Sequence, residues 1–280
     1  MQRTVLVVGA AGGVGGALVC RLLERGYRVV GTVLDESERA AVSAACPEVS
    51  DLETMDLSSA DSIRDILGGL LGRSAPGLHA AVVCAAVSPP GPLEIMHLED
   101  FRRALEINVV SNLAIYQSCL PALRKTQGRL VLISSSAGRV AYPFLGAYVS
   151  TKHALEGLGD VMRQEAGRWG IEVILMEPGG IRTGMVRGTL ARIERDQGAL
   201  SPVHRELYGK QFQSFARVAG GALSAGLEPR EVAGSIVDAL ETPAPQSRYV
   251  LGSDAQELFR HRRVLSDRDM DAMFAKVYES

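Results

Sequence analysis

The sequence predicts a single doubly wound α/β domain on a parallel sheet of about seven strands, with helices on both faces and right-handed crossovers. Three observations lead there. Short apolar runs without polar alternation recur along the chain, the pattern of strands covered on both faces. Amphipathic helical stretches separate them, the alternation that builds parallel sheets. A glycine cluster from Gly9 to Gly16 joins the first strand to the first helix. At 280 residues, 46% of them apolar, the chain suffices for one such domain and its core.

Thr4 to Val8 is the first strand, and Ala17 to Leu23 is the core of the first helix. Between them stand Gly9, Gly12, Gly13, Val14 and Gly15, followed by Gly16. Backbone N–H groups and the positive end of a helix dipole would face the pyrophosphate of a dinucleotide there, and missing side chains would let it approach. Glycine clusters also mark ordinary tight turns, so the motif alone is not specific. Arg28 to Leu34 is the second strand, and Leu34-Asp35-Glu36 at its end carries no base. Two carboxylates there would repel a 2′-phosphate, which favours NAD over NADP. Asp35 is a candidate for the ribose hydroxyls, or for the cap of a helix from Glu38 to Cys46.

Leu52 to Leu57 is the third strand. Asp56, beside Leu57, either holds the adenine amino group or caps the helix Ser59 to Leu71. Ala80 to Cys84 is the fourth strand, and the small residues Ala85 and Ala86 after it would let a nicotinamide ribose pass. A helix from Glu99 to Leu123 contains Asn108, a poor helix former for which a polar role facing the site is plausible.

The chemistry concentrates between Ser135 and Lys152. Leu130 to Ile133 is a buried strand, and Ser135 follows at its carboxyl end, where it could hold a substrate oxygen. Tyr148 and Lys152 stand four residues apart on one face of a helix. An ammonium there favours the ionised form of a phenol whose reference pKa is about 10, making the tyrosine a usable acid or base. A surface helix that happens to carry both residues is the plainer reading of the pair alone. The next strand, Glu172 to Met176, ends in a turn where Pro178, Gly179, Ile181 and Thr183 would shape a loop over a nicotinamide. Residues 184–226 lose the alternation and read as a substrate lid with a flexible joint at Gly220-Gly221. Glu231 to Leu240 is a further helix, Arg248 to Val250 a last strand, and Gln256 to Glu279 a helical tail. The predicted organisation is thus a catalytic domain over 1–255 and a C-terminal helical extension over 256–280.

A net charge of −2 with mixed signs argues against a nucleic-acid partner or an anionic surface. Cys20, Cys46, Cys84 and Cys119 show no paired spacing and read as free thiols of a reducing compartment. The scattered histidines and cysteines offer no metal site. Glycines interrupt the apolar amino terminus, which argues against an export signal. No apolar run approaches the roughly 20 residues of a membrane span, so a cytoplasmic location is expected.

Taken together, the glycine spacing, Asn108, Ser135, Tyr148, Lys152 and the Pro178-Gly179 turn resemble the short-chain dehydrogenase/reductase family, from Thr4 to about Leu251. Ala154-Leu155-Glu156-Gly157 adds to that resemblance, and Val33-Leu34-x-Glu36, Leu52-Glu53-Thr54-x-Asp56-Leu57 and the tail Arg248-Tyr249-Val250-Leu251-Gly252-x-Asp254 look like its retinol and hydroxysteroid dehydrogenase branch. The resemblance implies a Rossmann-type fold and hydride transfer between a nicotinamide cofactor and an apolar alcohol or ketone of steroid, retinoid or aromatic type. It implies that Tyr148 is the acid/base, that Lys152 lowers its pKa and holds the nicotinamide ribose, and that Ser135 positions the substrate oxygen. Asn108 would support a water linking Lys152 to solvent. It also implies homodimers or homotetramers through the helices Glu99 to Leu123 and Thr151 to Arg168. Val83-Cys84-Ala85-Ala86 and Val8 depart from the family pattern and remove hydrogen bonds that brace the cofactor. An NADP-dependent ketone reductase and a non-catalytic dinucleotide sensor or scaffold are the competing expectations.

Overall fold

The computed structural model describes residues 2–49, 51–74 and 77–279. Its first half runs β1 (Thr4–Val8), α1 (Gly13–Glu24), β2 (Arg28–Val33), α2 (Glu36–Ala45), β3 (Asp51–Thr54), α3 (Ala60–Ser74) and β4 (Ala80–Val83). Then come α4 (Leu98–Leu105), a π-turn (Glu106–Val110), α5 (Ser111–Thr126), β5 (Arg129–Ile133), α6 (Gly146–Ala166) and β6 (Glu172–Pro178). The last part is α7 (Gly184–Gly198), α8 (Pro202–Ala225), α9 (Pro229–Glu241), β7 (Arg248–Leu251), α10 (Ser253–Val264) and α11 (Asp267–Glu279).

The seven strands form one sheet in the order β3-β2-β1-β4-β5-β6-β7, every pairing parallel. Strand alternation explains why the apolar runs are unbroken. Leu6, Val8, Ala81, Val83, Leu130, Leu132, Val173 and Leu175 point to the face covered by α3, α5 and α6. Val5, Val7, Ala80, Val82, Val131, Ile174 and Met176 point to the face covered by α1, α2 and α9. Both sides of every central strand are therefore apolar, and each buried large aliphatic contributes roughly 1.5–3 kcal/mol.

The register sets the site. Val8 pairs with Val83, Val83 with Leu132, and Leu132 with Leu175. The residues that follow these strands therefore emerge side by side along one carboxyl edge. The chain order reverses between β1 and β4, which opens the crevice where such sheets bind ligands.

Four expectations change. The helix predicted from Glu99 to Leu123 is two helices broken by the π-turn, because Asn108 is tied to groups outside it. The third strand ends at Thr54 rather than Leu57. Gly220 and Gly221 form no joint, since they lie inside the continuous α8, whose buried Phe212 and Phe215 anchor it. Cys20 and Cys46 are not free thiols but a disulfide, with their Cα atoms 6.2 Å apart. The bond joins α1 to the end of α2 on one face of the sheet, a proximity that 26 residues of sequence separation conceal. Cys84 and Cys119 are free.

Candidate active site

A cavity of about 1260 Å³ follows the carboxyl edge from the end of β2 to α7 and α8. At its first end lies the glycine turn. Gly9 has φ +81°, open to glycine and strained for other residues, and its N–H and that of Ala10 both donate to the Thr32 carbonyl. A Cβ on Gly15 would stand 2.0 Å from the Gly9 carbonyl oxygen, so Gly15 serves close packing and does not line the cavity. Gly9, Gly12, Gly13 and Val14 do line it, with Thr183 against Gly13. No side chain caps α1 and its first turn holds no acid, so its leading amides are left for an anion. These features fit the pyrophosphate of a dinucleotide.

Leu34, Asp56 and Leu57 line the adenosine end. Asp35 does not: its carboxylate accepts from Glu38 N (2.9 Å) and Ser37 Oγ (2.6 Å) and caps α2, and these bonds hold its pKa below the usual range. The carboxylate facing the cavity is Glu38, whose Oε2 accepts from Leu34 N at 2.7 Å. Asp56 accepts from Ser58 N and Oγ, while Ser59 supplies the oxygen over the start of α3, so Asp56 is not the helix cap.

Ala85, Ala86, Ser135, Tyr148, Lys152, Pro178, Gly179, Ile181 and Thr183 meet in the middle of the cavity. Ser135 opens a 3-10 turn after β5, its Oγ accepting from Ala137 N at 3.1 Å and hydrogen-bonded to the Tyr148 hydroxyl. Lys152 Nζ donates to the Ile133 carbonyl at 2.7 Å and lies 5.5 Å from the Tyr148 ring centroid. Burial pushes the lysine down to about 8, opposed by Glu156 and Cys84. The Tyr148 phenol is shifted as well. Burial pushes the phenol up, and the opposing influence is the Ser135 hydrogen bond.

Asn108 is fully buried and does not line the cavity. Its Nδ2 donates to Val87 O (2.8 Å) and Thr151 Oγ1 (3.0 Å), and its Oδ1 accepts from Val87 N (2.9 Å). It fastens the segment after β4 to α6, next to Lys152. Its own carbonyl accepts from Asn112 Nδ2, also at 2.9 Å.

Beyond Tyr148 the cavity turns apolar. Leu145, just before α6, lines it with Val186, Phe215, Val218, Leu258 and Tyr278 from α7, α8 and both C-terminal helices, while Arg187 and Arg192 of α7 also line the cavity. Phe144, at φ +65°, is held in that strained backbone by Phe212, Phe215 and Tyr278, with centroids 5.7–6.0 Å away. Arg192 of α7 pairs with Asp100 of α4 at 2.5 Å, and Tyr208 of α8 bonds Glu94. Sequence reading missed Glu38, Tyr142 and Asp254. Tyr142 faces the cavity with its hydroxyl 2.8 Å from Ser136 Oγ. Asp254 of α10 accepts from Gly180 N at 2.8 Å and occupies the space a Cβ on Gly179 would need. The Arg248 to Asp254 segment was the only local signal for the last of these.

A doubly wound sheet, a glycine turn at its switch point and a tyrosine–lysine pair beside it define a nicotinamide-dependent oxidoreductase. The chain belongs to the short chain dehydrogenase family, whose model matches residues 3–193. It is 28% identical to the NADPH-dependent 3-dehydrocapnine reductase of Ornithobacterium rhinotracheale, over 98% of this chain and 97% of that protein. It is 29% identical to human 17-beta-hydroxysteroid dehydrogenase type 6, over 92% of this chain and 83% of that one. The solved structure of a short-chain dehydrogenase from Streptomyces avermitilis shares the fold with TM-score 0.76 at 23% identity, covering 99% and 95%. Among the described residues, no helix is long and apolar enough to cross a membrane.

Proposed function

We propose that this chain interconverts an apolar secondary alcohol and its ketone, of steroid, retinoid or aromatic type, with NAD as cofactor. The convergence of Ser135, Tyr148 and Lys152 on the border between the glycine turn and an apolar chamber carries this reading. Gly9, Gly12, Gly13 and Val14 would hold the pyrophosphate, Leu34, Glu38, Asp56 and Leu57 the adenosine, and Pro178, Gly179, Ile181 and Thr183 the nicotinamide end. The bound cofactor supplies the hydride acceptor or donor. The chain supplies the proton: in reduction the Tyr148 hydroxyl gives it to the substrate oxygen, and in oxidation the phenolate takes it back. Ser135 orients that oxygen, and Lys152 favours the phenolate once it forms.

Glu38 supports NAD. Its carboxylate faces the adenosine end, where it would repel a 2′-phosphate. The test is the pair of dissociation constants: NADH should bind at least about tenfold more tightly than NADPH, and Glu38→Gln should narrow the gap. Tighter NADPH binding by the unaltered protein would overturn the assignment. A panel of hydroxylated substrates tests the apolar chamber, and turnover confined to small charged hydroxy acids would refute it. A homodimer or homotetramer and a cytoplasmic location complete the proposal. The Cys20–Cys46 bond withdraws the cysteine argument for that compartment, and cell fractionation tests the location directly.

A further inference from the structure

Behind the tyrosine–lysine pair lies a buried cluster of charges. Glu156 is four residues beyond Lys152 on α6, and Glu177 is near the end of β6, just before the Pro178-Gly179 turn. Both are buried, Glu177 completely. A single atom, Arg248 Nε, reaches both carboxylates, at 3.1 Å from Glu156 Oε2 and 3.2 Å from Glu177 Oε1. That shared contact holds them within a few ångströms of each other. The other end of Arg248 pairs with Asp160 at 2.9 Å, which Arg163 also binds. Arg139 is 3.4 Å from Glu177 Oε2 and stacks on Phe259.

The cations do not satisfy the carboxylates. Glu156 Oε1 and Glu177 Oε1 are buried without a hydrogen-bond partner, as is Ser134 Oγ. The position of a Cβ on Gly138 would be 2.8 Å from Ser134 Oγ and 3.1 Å from Glu156 Oε1, so these two atoms border one small space. A buried acceptor without a hydrogen bond is costly, and two neighbouring carboxylates in a low dielectric resist double ionisation. One proton relieves both problems, because a carboxyl group gains a donor.

We propose that Glu177 keeps its proton at neutral pH in the buried site where its carboxyl meets that of Glu156, and that loss of this proton strengthens the hold of Lys152 on its own charge. Burial, then the charge of Glu156, pushes Glu177 up to about 7, while Lys152 titrates at about 8. As pH rises through this range Glu177 gains its negative charge just as the ammonium is about to be lost, so the active-site cation persists to higher pH. The other groups near the cluster are fixed. Asp160 is held by Arg248 and Arg163, Asp254 by Gly180 N, and Cys84 and Tyr148 beside Lys152 stay neutral because burial raises both. Glu156 and Glu177 are thus positioning residues acting through Lys152. Only the bearing on catalysis rests on the proposed role of Lys152; the Glu177 proton does not.

Glu177→Gln tests this, since glutamine has the shape of the protonated acid. Infrared difference spectra of the unaltered protein between about pH 5.5 and 8.5 should show a protonated-carboxyl band disappearing near 7, absent in the variant. Lysine ε-carbon NMR is tractable with four lysines in the chain, and the Lys152 midpoint should fall by about half to one unit in Glu177→Gln. Melting temperature should fall with rising pH in the unaltered protein relative to Glu177→Gln. A raised carboxyl pKa favours the fold below the unfolded value and loses that contribution as pH climbs through the folded one. An unchanged Lys152 midpoint, or no carboxyl transition near 7, overturns the proposal. Should Glu177→Gln not fold, Arg139→Gln replaces it: removing that cation should move the carboxyl transition upward by about one unit, and no movement would refute the pair. If both spectroscopic results hold while no oxidoreductase activity exists, the functional reading fails and the Glu177 proton stands.

Discussion

Three phenols line the cavity, Tyr142, Tyr148 and Tyr278, and the partners of the first two divide the work between them. The Tyr142 hydroxyl is engaged with Ser136 and pushed up to about 12 by burial. Tyr148 has Ser135 on its oxygen and Lys152 beside its ring. Tyr148→Phe should therefore lower kcat by about 10³-fold with little change in cofactor binding, whereas Tyr142→Phe should cost less than about tenfold. Steady-state kinetics with fluorescence titration of NADH separates the two. The proposed reduction calls for both a protonated Tyr148 and a charged Lys152, and rising pH removes each. The rate should fall as pH climbs through about 8, where Lys152 titrates, and a kcat profile checks it. Ser135, Tyr148 and Lys152 were legible because their relation is local, a strand end and one helical turn. Glu38 was not, because its approach to the cavity depends on its bond to the Leu34 amide, a detail of backbone direction.

Among the elements, the π-turn between α4 and α5 is held from outside. Asn108 satisfies the amide and carbonyl of Val87 and the hydroxyl of Thr151 at once, so Asn108→Ala strips the part-buried Val87 amide and carbonyl of their partner. It should cost about 2–3 kcal/mol in urea unfolding, while Asn108→Asp should recover part of that by accepting from Val87 N. The strands could be read from their apolar runs because covering both faces imposes that composition. The π-turn could not, since its cause is a hydrogen bond to a segment 21 residues upstream. The glycines of α8 misled for the same reason: local preference weighs about 1 kcal/mol each, less than the packing of Phe212 and Phe215.

Across the whole molecule, the Cys20–Cys46 bond closes a loop of 26 residues around β2 and ties together the two helices that flank the adenosine end. A constraint of that length is worth about 3 kcal/mol against the unfolded chain, so a reductant should lower the melting temperature of the unaltered protein and leave Cys20→Ser unaffected. Thiol titration in denaturant should find two reactive groups before reduction and four after. The parallel, doubly wound architecture followed from the sequence because parallel strands joined by helices leave few topologies. The disulfide did not, since no spacing rule reaches across a folded layer.

Asp254 carries one more implication. The turn that would cradle the nicotinamide hangs from an acceptor 74 positions further along the chain, on a helix that begins only after the last strand. A ribosome must thus travel past Asp254, 74 residues beyond Gly180, before that turn can acquire its brace. Shortened products ending ahead of Ser253 would display an intact tyrosine and lysine yet grip the coenzyme poorly.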